Sequence, residues 1–319
     1  MKKLFVATLI IIMLLGFYLY SQNKATKSTA SSSMWLVDWQ PEAGLQDAQK
    51  LGDALGSVSL FGIYYNKEHT SFLPASSKKL IMDSKHLHAK RYLTVVNDQI
   101  QGKKELKSIA VINSMLDNPK KHQQQLIHLT KQAQVDGLEL DYENIPADKE
   151  AQYLQFIKDL QQQLDDEEIA LRVVIEPTFK APLPANTQFI IMAYNLHGPH
   201  NDAGPKANFE FLDTLAKRFP NDAKNITIAF SLGGFRFTQD GVKSLTDKEI
   251  AALDTSKAKR DSASAAMSFT NEDGSEVWYS DTETLKQWRD YMQKKNYTYF
   301  AYWRAGGIAE KTLTMLKYD

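Results

Sequence analysis

The sequence contains no cysteine among its 319 residues. That absence excludes disulfide staples, thiolate nucleophiles and cysteine-ligated zinc or iron–sulfur centres. A charge excess is missing too: 38 basic residues meet 38 acidic ones, and the isoelectric point is near 7.1. Chains that grip nucleic acid usually carry a surplus of lysine and arginine on one face, so no nucleic-acid partner is expected. No group of His and Asp has metal-ligand spacing, and neither a metal nor a cofactor is expected. Internal repeats are absent, as is a second hydrophobic core set apart by a Pro/Gly linker. What remains is one chain with 43% hydrophobic residues, of a length that a single large α/β domain can fill.

Long apolar runs are missing with one exception. Lys2 and Lys3 precede an uncharged stretch at residues 4–20, LFVATLIIIMLLGFYLY. As a helix this stretch reaches roughly 25 Å at ~1.5 Å per residue, enough to span a bilayer core. It is long for a signal-peptide core, and the best small-residue cleavage site, Ser28-Thr29-Ala30, does not follow it closely. The reading is an uncleaved membrane anchor with its lysines inside, or an export signal if it is cleaved; either way the rest is extracytoplasmic. Residues 21–33, SQNKATKSTASSS, are small and polar and read as a linker. The expected division is therefore 1–33 for anchor and linker and 34–319 for the functional body.

Within that body, β-rich runs alternate with helical patterns. Strands are predicted at 34–39, 57–65, 91–96, 137–142, 169–175, 189–194, 226–230 and 297–303. Amphipathic stretches at 119–134, 147–164, 209–219 and 282–295 lie between them; in the first, Leu126, Ile127 and Leu129 gather on one side among lysines and glutamines. Helical signals between the first three strands are weak. No close hairpin signal separates the strands, which argues for parallel strands joined by crossovers. Eight such strands predict an α/β fold closed into a (β/α)8 TIM barrel. Residues 235–280 exceed a simple crossover and are expected to form a small insertion after the seventh strand, at the barrel mouth.

The chemistry concentrates in residues 135–146, VDGLELDYENIP. Side chains alternate on a strand, so Glu139, Asp141 and Glu143 share one face while Leu138, Leu140 and Tyr142 share the other. In a barrel the leucine face meets the helices, which leaves three carboxyl groups stacked inward. Burial and mutual repulsion raise carboxyl pKa values, so at least one should hold a proton near neutrality, as a general acid must.

This stretch resembles the signature of glycoside hydrolase family 18, the chitinase-like family, D-x-x-D-x-D-x-E at the end of the fourth barrel strand. Asp136, Glu139, Asp141 and Glu143 stand in its four positions. The resemblance implies that Glu143 protonates the glycosidic oxygen and that Asp141 orients the substrate's 2-acetamido group. It also implies that the acetamido oxygen, not an enzyme carboxylate, attacks the anomeric carbon, with retention of configuration. Asp136 would be a supporting residue, and Glu139 would act at the substrate site by tuning the charge there. Met192-Ala193-Tyr194-Asn195 resembles the family's M-x-Y-D motif, which implies that the Tyr194 hydroxyl holds the acetamido oxygen with Met192 and Asn195 beside it. YFAYWRAGG at 299–307 resembles the family's last strand and implies that Trp303 is the floor of the sugar site.

The resemblance extends over residues 34–310. It implies an N-acetylated polysaccharide substrate in the cell envelope, peptidoglycan ahead of chitin. The alternative is a sugar-binding, lectin-like barrel with little or no activity. Departures from the pattern are Glu139 and Asn195, each in place of Asp, and LTVVND where the third strand usually carries S-x-G-G. They place the chain nearer bacterial and spore-associated cell-wall lysins. Glu176, in VVIEPT, reads equally as a second carboxylate at the mouth or as an ion-pair partner.

Overall fold

Strand pairing in the computed structural model, which describes residues 32–222 and 224–318, closes on itself. The parallel strands are Ser32–Leu36, Leu55–Tyr65, Lys90–Gln99, Gly137–Asp141, Ala170–Ile175, Gln188–Met192, Ile226–Ser231 and Tyr299–Trp303. Each pairs with the next, and the first pairs with both the second and the eighth, so this TIM barrel has no open edge. The period-2 alternation sets what fills each side. Trp35, Val37, Phe61, Val174, Ile190 and Met192 pack inside the barrel. Leu36, Leu60, Leu138, Leu140, Val173 and Ile191 lie in the layer between barrel and helices. Gly137, where the fourth strand begins, has no room for a side chain: a Cβ there would fall 2.5 Å from the Tyr92 ring and 2.8 Å from the Ala170 carbonyl oxygen.

The outer helices are Pro41–Leu51, Ala75–Asp83, Ile109–Asp117, Pro119–Ala133, Glu150–Asp165, Phe209–Arg218, Thr282–Gln293 and Glu310–Tyr318. The first two fill the connections where the sequence signal was weak. They are 11 and 9 residues long and bury few large side chains, Leu45 and Leu51 in one and Leu80 and Ile81 in the other, so the 3.6-residue pattern is thin. Between the fifth and sixth strands the connection, 176–187, contains no helix.

The insertion after the seventh strand is a five-stranded antiparallel sheet of Gly233–Thr238, Gly241–Leu245, Lys259–Arg260, Met267–Thr270 and Glu276–Ser280. The insertion was expected at 235–280, and its strands are joined by hairpins that the sequence reading did not assign. Two hairpins carry Asp-Gly pairs at their turns, Asp240-Gly241 and Asp273-Gly274, both glycines having positive φ (136° and 78°). That dipeptide is a hairpin signal in its own right. The sheet has a small core of its own, Leu245, Ile250, Val277 and Tyr279. The apolar run at 4–20, read as an anchor, lies outside the described residues. Among the described residues no helix is long and apolar enough to cross a membrane.

Candidate active site

Glu139 points into the barrel and is completely enclosed. Its Oε1 accepts from Trp35 Nε1 at 2.8 Å and Thr94 Oγ1 at 2.9 Å; its Oε2 accepts from Ser59 Oγ at 2.9 Å and Arg172 Nε at 2.8 Å. Four strands thus converge on one carboxylate. Arg172, the register partner of Glu139, also reaches Ser57 and Ser59 and lies 3.7 Å over the Tyr92 ring. With both oxygens occupied and no exposure, Glu139 does not contact substrate; it anchors the floor, correcting its expected place at the sugar. The pictured trio of repelling acids is likewise reduced, because Arg172 neutralises the lowest of the three.

Asp141 stands one pleat higher, 7% exposed, and its Oδ1 is buried with no hydrogen-bond partner among the described residues. Burial first, then the charges of Glu143 and Glu139, push it well above the usual carboxylate range. Glu143 follows just past the strand end. Its backbone is clamped by the Asn97 side chain, with Nδ2 donating to the Glu143 carbonyl and Oδ1 accepting from the Glu143 N–H, both at 2.9 Å. Asn144 next to it turns through the left-handed region (φ 59°), which asparagine tolerates better than most residues, and its N–H donates to Glu176 Oε2 at 2.5 Å. Glu143 Oε2 pairs with Lys107 Nζ at 2.5 Å. Burial raises the Glu143 carboxyl above its ordinary value even though Lys107 pulls the other way. Lys107 is itself held in place, its N–H donating to Asp98 Oδ1 at 2.7 Å.

Beside these acids opens a cleft of about 520 Å3, reached through Asn144, Glu176 and Lys107 and lined on its aromatic side by Tyr194 and Trp303 and elsewhere by Asn195 and the insertion sheet; Asp141 and Glu143 are not themselves among its lining residues. Trp303 leans on Trp35 and Phe61, with ring centres 6.0 and 5.4 Å away. The Tyr194 phenol is raised well above its usual pKa, by burial and then by the neighbouring carboxylates, so it stays a neutral donor. Two sequence-predicted residues lie elsewhere. Met192, 3% exposed, sits in the interior packing one pleat below Tyr194 and does not line the cleft. Asp136 is exposed at the opposite end of the fourth strand, where its Oδ2 accepts from the Arg91 N–H at 2.8 Å; its support is to the start of the strand and not to the site.

The profile of glycosyl hydrolases family 18 matches residues 70–307, well over half of the chain. The chain belongs to that family. It is a glycoside hydrolase, and its fold is shared with several solved structures. The Chromobacterium violaceum chitinase superposes with a TM-score of 0.76 at 15% identity, covering 90% of this chain and 98% of that one. The Bacillus cereus spore cortex-lytic enzyme SleL gives 0.73 at 15% identity, over 90% and 73%. A mutant class V chitinase from Nicotiana tobaccum, in complex with NAG4, gives 0.73 at 12% identity, over 90% and 97%. No curated protein matches the sequence.

Three residues that matter to this family 18 site escaped sequence reading: Asn97, Lys107 and Arg172. Arg172 could have been found, since a charged residue on the inward face of a strand needs a buried partner. Asn97 lies in the LTVVND segment that replaces a family motif, and nothing local says that its amide will hold Glu143. Lys107 is a loop lysine with no pattern around it.

Proposed function

We propose that the protein hydrolyses a β-glycosidic bond next to N-acetylglucosamine in a cell-envelope polysaccharide, with peptidoglycan the favoured substrate and chitin-like chains second. The mechanism is retaining and substrate-assisted. One observation carries the reading: Asp141, with a buried oxygen lacking any partner among the described residues, stands one pleat below Glu143, whose ion-pair partner Lys107 and chain neighbour Asn144 line a cleft faced by Tyr194 and Trp303. A buried acceptor without a donor costs about 1–3 kcal/mol, and the N–H of a 2-acetamido group is a donor of the right kind to relieve it. That contact turns the acetamido oxygen toward the anomeric carbon, with the Tyr194 hydroxyl as its other support. The Trp303 ring offers an apolar face for the C–H groups of a pyranose. Burial keeps the Glu143 carboxyl above its ordinary value, which favours the protonated form needed for the leaving oxygen, while Lys107 opposes it from 2.5 Å. Structural neighbours described as chitinases, one in complex with NAG4, and as a spore cortex-lytic enzyme support an N-acetylated glycan as substrate. The apolar run at 4–20 supports an extracytoplasmic, membrane-anchored location.

Glu143→Gln tests the assignment. General acid catalysis contributes ~10²–10⁴ in rate, roughly 3–5 kcal/mol of barrier. Hydrolysis of peptidoglycan strands and chitin oligomers should fall by that factor while glycan binding, followed by calorimetry, persists. A rate unchanged by the substitution would give the site to a lectin-like function, and a sugar ester trapped on any carboxylate would overturn substrate assistance.

A further inference from the structure

Two cations line the cleft with no carboxylate to answer them, and they stand on either side of Trp303. Lys206 closes the loop after the sixth strand and is only 7% exposed. Its Nζ donates to Ser231 Oγ at 2.7 Å and to the Leu232 carbonyl at 3.0 Å, and lies 4.7 Å from the centre of the Phe235 ring. An ammonium group has three N–H donors, so one is uncommitted. Ser231 is the register partner of Trp303, and the Leu232 N–H donates to the Trp303 carbonyl at 2.6 Å. The amine therefore sits beside the strand end that carries the aromatic floor. On the other side, Arg304 follows Trp303 directly. Its Nη1 donates to Gln40 Oε1 at 2.9 Å and to the Ala305 carbonyl at 3.2 Å, and the guanidinium lies 5.7 Å from the Trp39 ring centre.

The acids on the cleft wall are engaged elsewhere. Glu176 accepts from the Asn144 N–H and Asp247 from the Ala309 N–H, while Lys107 is already paired with Glu143. His197 Nδ1 is bound to the Asp202 carbonyl, and the remaining titratable lining residues are His200 and the Tyr194 phenol, which burial keeps neutral. Among the described residues neither Lys206 nor Arg304 has an ion-pair partner. Burial lowers the Lys206 amine to about 7, with no nearby carboxylate to raise it again. A buried, unpaired ammonium is an unfavourable choice for packing alone, where an apolar side chain of the same length would serve better.

We propose that Lys206 and Arg304 form an anion-recognising subsite of the cleft, which selects N-acetylated glycans bearing a carboxylate close to the sugar on Trp303 over neutral chitin-type chains. This rests on the cleft being the glycan site. The carboxylate has two sources in peptidoglycan: the lactyl ether of a muramic residue, free where the peptide has been removed, and the acidic residues of an attached peptide.

The test uses the full chain in mild detergent and three substrates: neutral N-acetylglucosamine oligomers, peptide-free glycan strands and peptide-bearing strands. A charge-assisted hydrogen bond corresponds to roughly ten- to hundredfold in affinity. Lys206→Met should lower kcat/KM on a carboxylate-bearing substrate about tenfold or more, chiefly through KM, and leave the neutral oligomers within about threefold. Arg304→Gln should act in the same sense and Lys206→Arg should restore part of the loss. The wild-type preference for acidic glycan should weaken with added salt and as pH rises past the titration of the bound amine. A loss confined to peptide-free strands identifies the lactyl group; one confined to peptide-bearing strands identifies the peptide. Equal losses on neutral and acidic substrates, or none on either, overturn the subsite. If Lys206→Met unfolds, the wild-type salt and pH dependence on the same substrates decides. If the wild type cleaves nothing, the hydrolase reading falls, while calorimetric binding of the same glycans still decides the subsite; binding of none of them overturns both.

Discussion

At Glu143 two influences oppose each other: burial favours the neutral carboxylic acid, and Lys107 favours the carboxylate. Removing the amine leaves burial unopposed, so Lys107→Met should raise the Glu143 pKa. In the proposed mechanism the acid must be protonated to act, so activity should decline as pH climbs through that pKa. The basic limb of the kcat profile should therefore move to higher pH in the variant, and a limb that stays in place or moves down would show that Lys107 does not govern the acid. Asp141 gives a prediction about stability. An unfolded Asp ionises near ~3.9, whereas the folded group holds its proton to higher pH. The folded state thus binds the proton more tightly, and the penalty for ionising Asp141 grows as pH rises from the unfolded pKa to the folded one. Asp141→Asn should raise the melting temperature at neutral pH, with the gain shrinking toward zero near pH 3.5 to 4. Thermal melts at the two pH values check this; a gain that did not change with pH would have another origin.

At the scale of elements, the decisive device is the barrel floor, where the first, second, third and fifth strands send Trp35, Ser59, Thr94 and Arg172 to one carboxylate on the fourth. Breaking a buried pair by removing one partner costs about 3–5 kcal/mol, because the other charge is left uncompensated. Arg172→Met should destabilise the protein by that amount in urea unfolding, and adding Glu139→Gln should recover part of it. Full additivity of the two changes would mean that the pair is not coupled. Elements also differ in how legible they were. Long periodic helices such as Pro119–Ala133 announce themselves, whereas Pro41–Leu51 and Ala75–Asp83 bury too few side chains to leave a pattern. The insertion sheet was readable in part, from the Asp-Gly turns at 240–241 and 273–274, but its pairing order joins strands distant in sequence.

For the whole molecule, closure of the barrel brings the ends of the fourth, sixth and eighth strands to one mouth, which is how Glu143, Tyr194 and Trp303 come to share a site. The insertion and the loop after the sixth strand then wall the cleft, Phe235 and Lys206 meeting across it. The run at 4–20 carries a prediction of its own. Full-length protein should sediment with membranes after a salt wash, and deletion of 4–20 should release it. A mature N-terminus beyond residue 21 in the secreted fraction would replace the anchor by a cleaved signal.

The sequence by itself determined the eight-strand alternation, the parallel sense of the barrel and the inward stacking of Glu139, Asp141 and Glu143, because these follow from side-chain period and local connection length. Tertiary structure alone decided which of those acids is neutralised. Arg172 is 33 residues from Glu139 in the chain, Asn97 46 residues from Glu143, and Lys107 36. Such pairings depend on barrel closure and loop course, which no local pattern encodes. The same holds for Lys206 beside Trp303: one lies on a loop and the other on the last strand, and only the register of the seventh strand with the eighth brings the amine next to that ring's strand end.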